Sequence, residues 1–538
     1  MKFAAGLLLF IFLGLDFNSN AETPNWLWYR GWNNSTADPN AITADVNGNV
    51  YVTGSFYGKL IMGTDTFLNN GSGDVCLVKY NAQGVLQWVK TAGGASGDAA
   101  HAITTDAGGY VYIAGIFYSD SIFLGSFKLT DSGNSPNSFI VKYDPQGHVV
   151  WAKGLNASSG SNINGIGADA NSNIYVSGAF TGQVTIGNTT LSNEGVFTAK
   201  YDALGNAIWA QTAASSNGGV SNGISVDRSG NTYITGSFTQ QLTFGTTTLQ
   251  AWQGGSNIFV TKYDVGGNLL WAKCASVPNQ AYANDYSMAI STDTAGNAYI
   301  TGQFSSTMVL GSQSLTSANT NALFMAKYDS SGQVAWAMST GQDNAYTFGA
   351  SIAVNSNGNA LLAGYFNTPS IVLDTITLSG DNGGSFVAEY NGTGHVQWAK
   401  SIGYPSGGKI YGVAADPFGN AYVTGAYGTQ VFGLDTLFNP GVLAAKLGDG
   451  APEAVVDVNN PKDNITIYPN PTTGNLYLKG LSGNSIIEIY NVFGQLIYAT
   501  QTGLNDIAII LPPAGRGVYC YRISDGTEVV KAGKIVIE

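Results

Sequence analysis

A motif of the form D-x-x-G-N-x-Y-V-T-G-x-F recurs seven times along this chain, with copies beginning at Asp45, Asp106, Asp169, Asp227, Asp293, Asn355 and Asp416. Successive copies start 58 to 66 residues apart, a period of about 62. Self-similarity at a fixed period restricts a chain to architectures that stack one supersecondary unit many times. Each unit holds four strand signals separated by turn residues, as in "AITAD", "NVYVTGSF", "FIVKYD" and "HVVWAK". Asp-x-x-Gly-Asn joins the first two strands and Asp-x-x-Gly the last two. There Gly supplies a positive φ, and Asp can bond its own turn backbone. A segment such as "LGSFKL" or "FGTTTL" lies between the second and third strands and reads as a hairpin excursion or a loop.

Both alternation phases of these strands are apolar: Val52, Gly54 and Phe56 fall on one face of "YVTGSF" and Tyr51 on the other. A sheet apolar on both faces needs cover on both faces. Seven similar sheets set around an axis cover one another, so the reading is an all-β, seven-bladed β-propeller with four strands per blade. The first strand is rich in small residues, as crowding at the axis requires. No segment sustains a 3.6-residue apolar period, so helices should be scarce.

A count of tryptophans tests this reading. The fourth strand ends in tryptophan at Trp88, Trp151, Trp209, Trp271, Trp336 and Trp398, whereas the seventh copy runs from Lys446 into "LGDGAPEAVVD" without one. The distance from each tryptophan to the next repeat's Asp or Asn is 18 to 22 residues, and Trp28 stands 17 residues before Asp45. The segment from about Trp26 to Arg30 is therefore expected to supply the fourth strand of the last blade. Such closure removes unpaired sheet edges.

The chain has 538 residues, of which 10% are charged and 44% hydrophobic, with 71 glycines. That profile suits short strands and tight turns rather than disorder. A net charge of −12 argues against nucleic acid, whose phosphates need clustered Lys and Arg. Residues 1–21 read as a signal peptide: Lys2, an apolar run from Phe3 to Leu15, then Ser19 and Ala21 before the cut. The run is too short to span a bilayer, and no second one provides a transmembrane segment. Three cysteines (Cys76, Cys274, Cys520) do not make a disulfide framework, and Cys76 occupies a position that holds Phe or Leu in the other repeats.

These residues also carry a resemblance. "DVNGNVYVTGSF…CLVKYNAQGVLQWVKTAGG" is similar to the bacterial seven-bladed propeller repeat family called SBBP. The resemblance covers about residues 25–447 and implies the propeller fold without a shared enzymatic activity. Repeat six departs most, with Asn355 for Asp, "ALLAG" for "VYVTG" and Glu389 for Lys.

The propeller reading spans residues 22–450, followed by a Pro- and Asp-containing linker, 451–464, and a module of short alternating strands, 465–538, expected to be a small Ig-like β-sandwich. Tyr468-Pro469-Asn470-Pro471, Gly474, Asn491-x-x-Gly494 and Gly517-Val-Tyr519 resemble the C-terminal sorting domain of type IX secretion cargo from the Bacteroidetes lineage. The resemblance implies passage through the periplasm, the type IX machinery as a partner, and a secreted or outer-surface destination.

Little chemistry is legible. The three histidines show no metal-ligating spacing, so a metal site is not expected, and no cofactor is implied. Gly219-Val-Ser221-Asn-Gly223 matches a nucleophile elbow in letters but leads into a strand rather than a helix. Asp45-Val-Asn47-Gly-Asn49 and Asp169-Ala-Asn171-Ser-Asn173 begin like calcium loops but lack the later ligands, and turn stabilisation accounts for them better. The loops from each fourth strand to the next first strand should gather at one end of the ring. They carry Trp32, Tyr282, Tyr286, Tyr346, Phe348, Tyr404 and Tyr411 among amides and carboxylates, a composition suited to a glycan or protein ligand. Padding between blades is the competing reading of these rings. An enzyme acting on extracellular polysaccharide would draw on Asp98, Asp285 and Asp343 of the same loops, and a structural role in a surface matrix is a third possibility.

Overall fold

The computed structural model describes residues 23–537 apart from 33–35, 132–135, 156, 216, 252–254, 276–284, 318–320, 341–345, 381–382, 403–407, 428–429, 433–434, 438–440, 450–464, 470–471, 482–483, 492–495, 513–515 and 525–528. No helix occurs among the described residues. Each of the first six repeats forms one antiparallel sheet of four strands in chain order, and the seventh completes its sheet with a strand from the other end of the repeat region. In the second repeat the strands are Asp98–Thr105, Val111–Phe117, Asn137–Tyr143 and Val149–Leu155. There are seven such sheets, the third widened by a hairpin of the fourth repeat that pairs Phe244 with Ala213. The segment after each second strand is a hairpin, for example Ser121–Leu124 against Phe127–Thr130. First strands of successive sheets pack side by side, and Lys409–Ala415 of the seventh packs in turn against Thr36–Ala44 of the first.

The seventh sheet runs in the order Asn25–Gly31, Gly441–Gly448, Ala421–Tyr427, Lys409–Ala415. Trp28 stands opposite Lys446 as Trp88 stands opposite Lys79 and Trp151 opposite Lys142. The missing tryptophan is therefore Trp28, brought into register by a strand more than 400 residues away in the chain. One apolar cluster spans the junction: Trp28, Tyr422 and Val442 of the seventh sheet pack with Val50, Phe56 and Cys76 of the first. Cys76 is fully buried there, as a small core residue should be.

Two local devices explain why the repeat reads as it does. Every first strand slips register by one residue, at Asn40, His101, Asn164, Asn222, Met288, Ala350 and Tyr411. Such a bulge bends the strand and drives a carbonyl toward the neighbouring strand. A Cβ on Gly54, Gly178, Gly236 or Gly302 would lie 1.9 Å from the oxygen of Asp38, Asn162, Val220 or Tyr286. The glycine of "V-T-G-x-F" is required by that approach.

The second device joins neighbouring sheets. Lys79 Nζ and Trp88 Nε1 both donate to Pro145 O, in the Asp-x-x-Gly turn of the next repeat, at 3.0 and 3.2 Å. Lys142 and Trp151 do the same to Ala203 O, Lys262 and Trp271 to Ser330 O, and Lys327 and Trp336 to Gly392 O. Across the closing junction Trp28 and Lys446 reach Ala82 O. The turn glycine lies against the same indole: at φ +84°, Gly267 leaves 2.7 Å between its missing Cβ and Trp209. Lysine, tryptophan and glycine recur at fixed spacing because they are one interface.

The carboxyl-terminal module forms two sheets. Thr466–Tyr468, Asn475–Lys479 and Asp506–Ile510 make one, and Leu496–Thr502, Ser485–Asn491, Gly517–Ser524 and Val529–Ile537 the other. They share an apolar core that includes Ile465, Leu476, Ile487, Ile509 and Ile535.

Candidate binding face

The bulged ends of the first strands meet the loops from the preceding sheets, so the side chains at these positions set the chemistry of one mouth of the assembly. Around the first four sheets the mouth satisfies itself. Asn40 Nδ2 donates to Ala100 O at 2.8 Å, Asn164 Nδ2 to Ser221 O at 3.0 Å and Asn222 Nδ2 to Ser287 O at 3.0 Å. His101 Nδ1 meets Asn162 Oδ1 at 3.1 Å, and burial lowers its pKa below the usual imidazole value. From the fifth sheet onward the bulge residues are Met288, Ala350 and Tyr411, which carry no amide to continue the series.

There aromatic rings collect instead. Phe348 stacks on its cross-strand partner Tyr365 with centroids 5.0 Å apart, and Tyr346 stacks on the same ring at 6.2 Å. Lys409 Nζ lies 5.4 Å above Tyr365 from the neighbouring sheet. Burial, Tyr346 and Tyr411 together raise the Tyr365 pKa, while burial and Asp38 raise that of Tyr411. Tyr346, Phe348 and Tyr365 are half-buried, whereas Lys409, Tyr411 and Asp38 are exposed. The result is a stacked aromatic platform with a cation above it and a carboxylate at its edge.

The structure sorts the predicted site residues. Tyr346, Phe348 and Tyr411 come together. Tyr286 begins the first strand of the fifth sheet, half-buried, one sheet further back. Trp32 is a correction: it is fully buried, and its Nε1 donates to Tyr80 Oη at 2.8 Å, so it pads the junction between the seventh and first sheets. Tyr282 and Tyr404 lie outside the described residues. Tyr365 and Lys409 escaped sequence reading. The signal for Tyr365 was present: the x of "T-G-x-F" is Ser55, Ile116, Ala179, Ser237 and Gln303 in the first five repeats and tyrosine only in the sixth.

The carboxylates considered for catalysis are corrected as well. Asp98 and Asp285 stand at or next to the start of first strands in the second and fifth sheets, and both are buried rather than presented to an open face. Asp98 Oδ2 accepts from Gly94 N and Ser119 Oγ, and Asp285 Oδ1 accepts from Ser305 N, so each serves its own loop. Asp343 lies outside the described residues. The Asp-x-x-Gly-Asn turns are likewise filled from within: Asp45 Oδ1 accepts from Asn47 N and Asn49 N, and its Oδ2 from Asn49 Nδ2 and Tyr51 Oη. His148 and His395 sit exposed after their turn glycines, paired with Asp144 and Asp374.

Burial raises the Asp285 carboxyl to about 7, and burial with the nearby charge of Asp98 raises Asp74 to about 6. A carboxyl that binds its proton more tightly in the fold than in the unfolded chain stabilises the fold at low pH. That contribution is lost as pH rises from about 4 toward 7. Thermal unfolding monitored from pH 5 to 8 should show Asp285→Asn gaining on the parent as pH rises, by on the order of a few kcal/mol at pH 8. A constant difference across that range would contradict the assignment.

In the tail, Tyr468 is exposed and stacks on Tyr477 at 5.8 Å, with Pro469 beside it. Gly474 takes a φ of +111° at the turn into Asn475–Lys479, Gly517 opens its strand, and Tyr519 is buried in the shared core. Asn470, Pro471 and Gly494 lie outside the described residues. No helix of the described residues is long and apolar enough to cross a membrane.

Comparison with known proteins agrees with both modules. Residues 397–426 match the family described as a beta-propeller repeat (SBBP), and residues 466–538 match the secretion system C-terminal sorting domain. An uncharacterized WD repeat-containing protein of Acanthamoeba polyphaga mimivirus is 36% identical over 116 residues, 19% of this chain; the chain spans only 8% of that curated relative. Among solved structures, PorZ is described as an essential bacterial surface component of the type IX secretion system of Porphyromonas gingivalis. It is 11% identical and covers 93% of this chain and 81% of its own, with a TM-score of 0.26. A protein of unknown function from Dyadobacter fermentans is 9% identical over 79% of this chain and 99% of its own, with a TM-score of 0.36. The chain thus joins β-propeller repeat sequence to a type IX sorting tail that directs it to the cell surface or to secretion.

Proposed function

We propose that this protein is a surface-displayed or secreted binding module. In this reading residues 22–450 are one closed seven-bladed propeller, 451–464 a linker, and 465–538 an Ig-like sorting domain that engages the type IX machinery after residues 1–21 have directed the chain to the periplasm. The ligand is a glycan or a protein, received on the platform of Tyr346, Phe348, Tyr365, Lys409 and Tyr411. The observation that carries this reading is the half-buried Phe348–Tyr365–Tyr346 stack with Lys409 above it and Tyr411 exposed beside it, an arrangement that among the described residues occurs in the sixth repeat alone. Trp32, which pads the junction of the seventh and first sheets, is by contrast fully buried.

A glycan array and a panel of purified surface proteins, probed with the leaderless chain, test it. At least one ligand should bind saturably and without turnover. Tyr365→Ala should weaken it on the order of 10-fold, the scale expected for losing one aromatic stack, with the thermal midpoint held. Binding unaffected by Tyr365→Ala and Tyr411→Ala, or cleavage of the ligand, would overturn the reading.

A further inference from the structure

The sixth repeat is the one whose neighbour lacks a turn. In the other sheets the indole of the fourth strand donates to the Asp-x-x-Gly turn of the next sheet. The seventh sheet has no such turn, because its third and fourth strands are opposite ends of the repeat region: Gly441–Gly448 runs out at Asp449, and Asn25–Gly31 runs in from Pro24. Among the described residues, a lysine at position 389 would have no turn carbonyl to reach there. Glu389 stands in its place, accepting from Trp398 Nε1 at 3.1 Å and from Asn359 Nδ2 at 2.6 Å. With the lysine absent, an aspartate at 355 would lose its neighbouring cation, and with Leu361 where the other repeats carry tyrosine it would lose a hydroxyl donor too. Asparagine fits where that charge would be uncompensated.

The absent turn leaves a notch of about 660 Å³, within the range of small-molecule sites. Its described lining includes Glu389, Asn357, Gln397, Trp398, Phe418 and Asp449, with no lysine or arginine among the described residues. Phe418 is the second, independent sign. The same turn position holds Asn47, Gly108, Asn171, Ser229, Ala295 and Asn357 in the other repeats, yet here it carries a phenylalanine that is 71% exposed. An aromatic face left in water beside amides that both donate and accept, and beside carboxylate oxygens with lone pairs to spare, matches a ring of hydroxyls better than a bare cation, which needs acceptors alone.

We infer that this notch is a second binding site, for a neutral sugar residue, with Phe418 as its stacking face and Glu389 as the acceptor of its hydroxyl protons. It is separate from the aromatic platform. Thr347–Val354 begins at the platform and ends beside Asn355, so at ~3.3 Å per residue the two sites are roughly 25 Å apart along one strand.

The test is a titration of the leaderless full chain with glucose, galactose, mannose, N-acetylglucosamine and glucuronate, followed by saturation-transfer NMR and calorimetry. At least one neutral sugar should bind saturably, and glucuronate should bind at least 10-fold more weakly, repelled by Glu389 and Asp449. Phe418→Ala and Glu389→Lys, the latter restoring the residue usual in the repeat, should each cost 10-fold or more, while Leu204→Ala, at an exposed turn of the third repeat, leaves binding within 2-fold. Phe418→Ala alters an exposed side chain and keeps the test valid should Glu389→Lys fail to fold. No binding by any neutral sugar, or binding that survives Phe418→Ala, overturns the inference. Binding lost with Tyr365→Ala but kept in both notch variants also overturns it and assigns the sugar to the platform instead.

Discussion

Removing residues 22–32 from the leaderless chain should abolish its cooperative unfolding transition rather than merely lower its midpoint. That segment contributes the strand Asn25–Gly31 and, with it, Trp28, Tyr29 and Trp32, all buried. It also contributes Arg30, whose Nε donates to Gly84 O at 2.7 Å and whose Nη2 reaches Gln83 O at 3.2 Å, in the turn of the first sheet. Losing a buried aromatic side chain costs about 3–5 kcal/mol, so three together approach the whole stability of a typical domain, about 5–15 kcal/mol. The deletion would also expose Gly441–Gly448 as an edge strand, a template for aggregation. Circular dichroism melts and size-exclusion chromatography would report the change. A deletion variant that melts cooperatively within a few degrees of the parent would refute the role given to this strand. Trp28→Ala alone should reproduce part of the loss, because Trp28 packs 6.1 Å from Tyr80 and 6.2 Å from Tyr422, on either side of the junction.

Gly178→Ala should be among the most damaging methyl additions in the molecule, at roughly 3 kcal/mol or more, since a close-packed interior has nowhere to put it. Its Cβ would lie 1.9 Å from Asn162 O and 3.0 Å from Ile163 Cα, both backbone atoms of the adjacent strand. Relief would require undoing the bulge between Ile163 and Gly165 and with it the register of Ser161–Ala168. Gly236→Ala should match it, with Val220 O at 1.9 Å. Gly245→Ala is the control: nothing lies within 4 Å of its Cβ, so only the strain of its φ of +57° remains, about 1 kcal/mol. Equilibrium denaturation in urea would separate them. Equal destabilisation by the two classes would show that close approach does not explain the recurrent form of this repeat.

The period, the four strand signals and the 17-residue spacing from Trp28 to Asp45 are properties of local sequence, and local sequence sets strands, turns and register. They led to seven sheets and to the partner of the last one. The tail motifs were equally direct, because their residue types and order carry the resemblance without reference to anything distant.

The site was less accessible, for a reason visible in Trp32 and Tyr365. Both are aromatics near a strand end, and no neighbour in sequence distinguishes them. Trp32 is covered because Tyr80, 48 residues later, brings its hydroxyl to the indole. Tyr365 stays half-buried, with Lys409 of the next sheet above its ring and Tyr411 nearby. The same holds for Glu389, whose replacement of lysine was plain in the sequence but makes sense only beside the turn that the seventh sheet lacks. The repeated letters fixed how many sheets form and how the ends join, since identical local signals need no distant context. Which rings face water and what each irregular letter does were decided by tertiary structure, because exposure and hydrogen-bond partners depend on segments that meet only when the sheets pack.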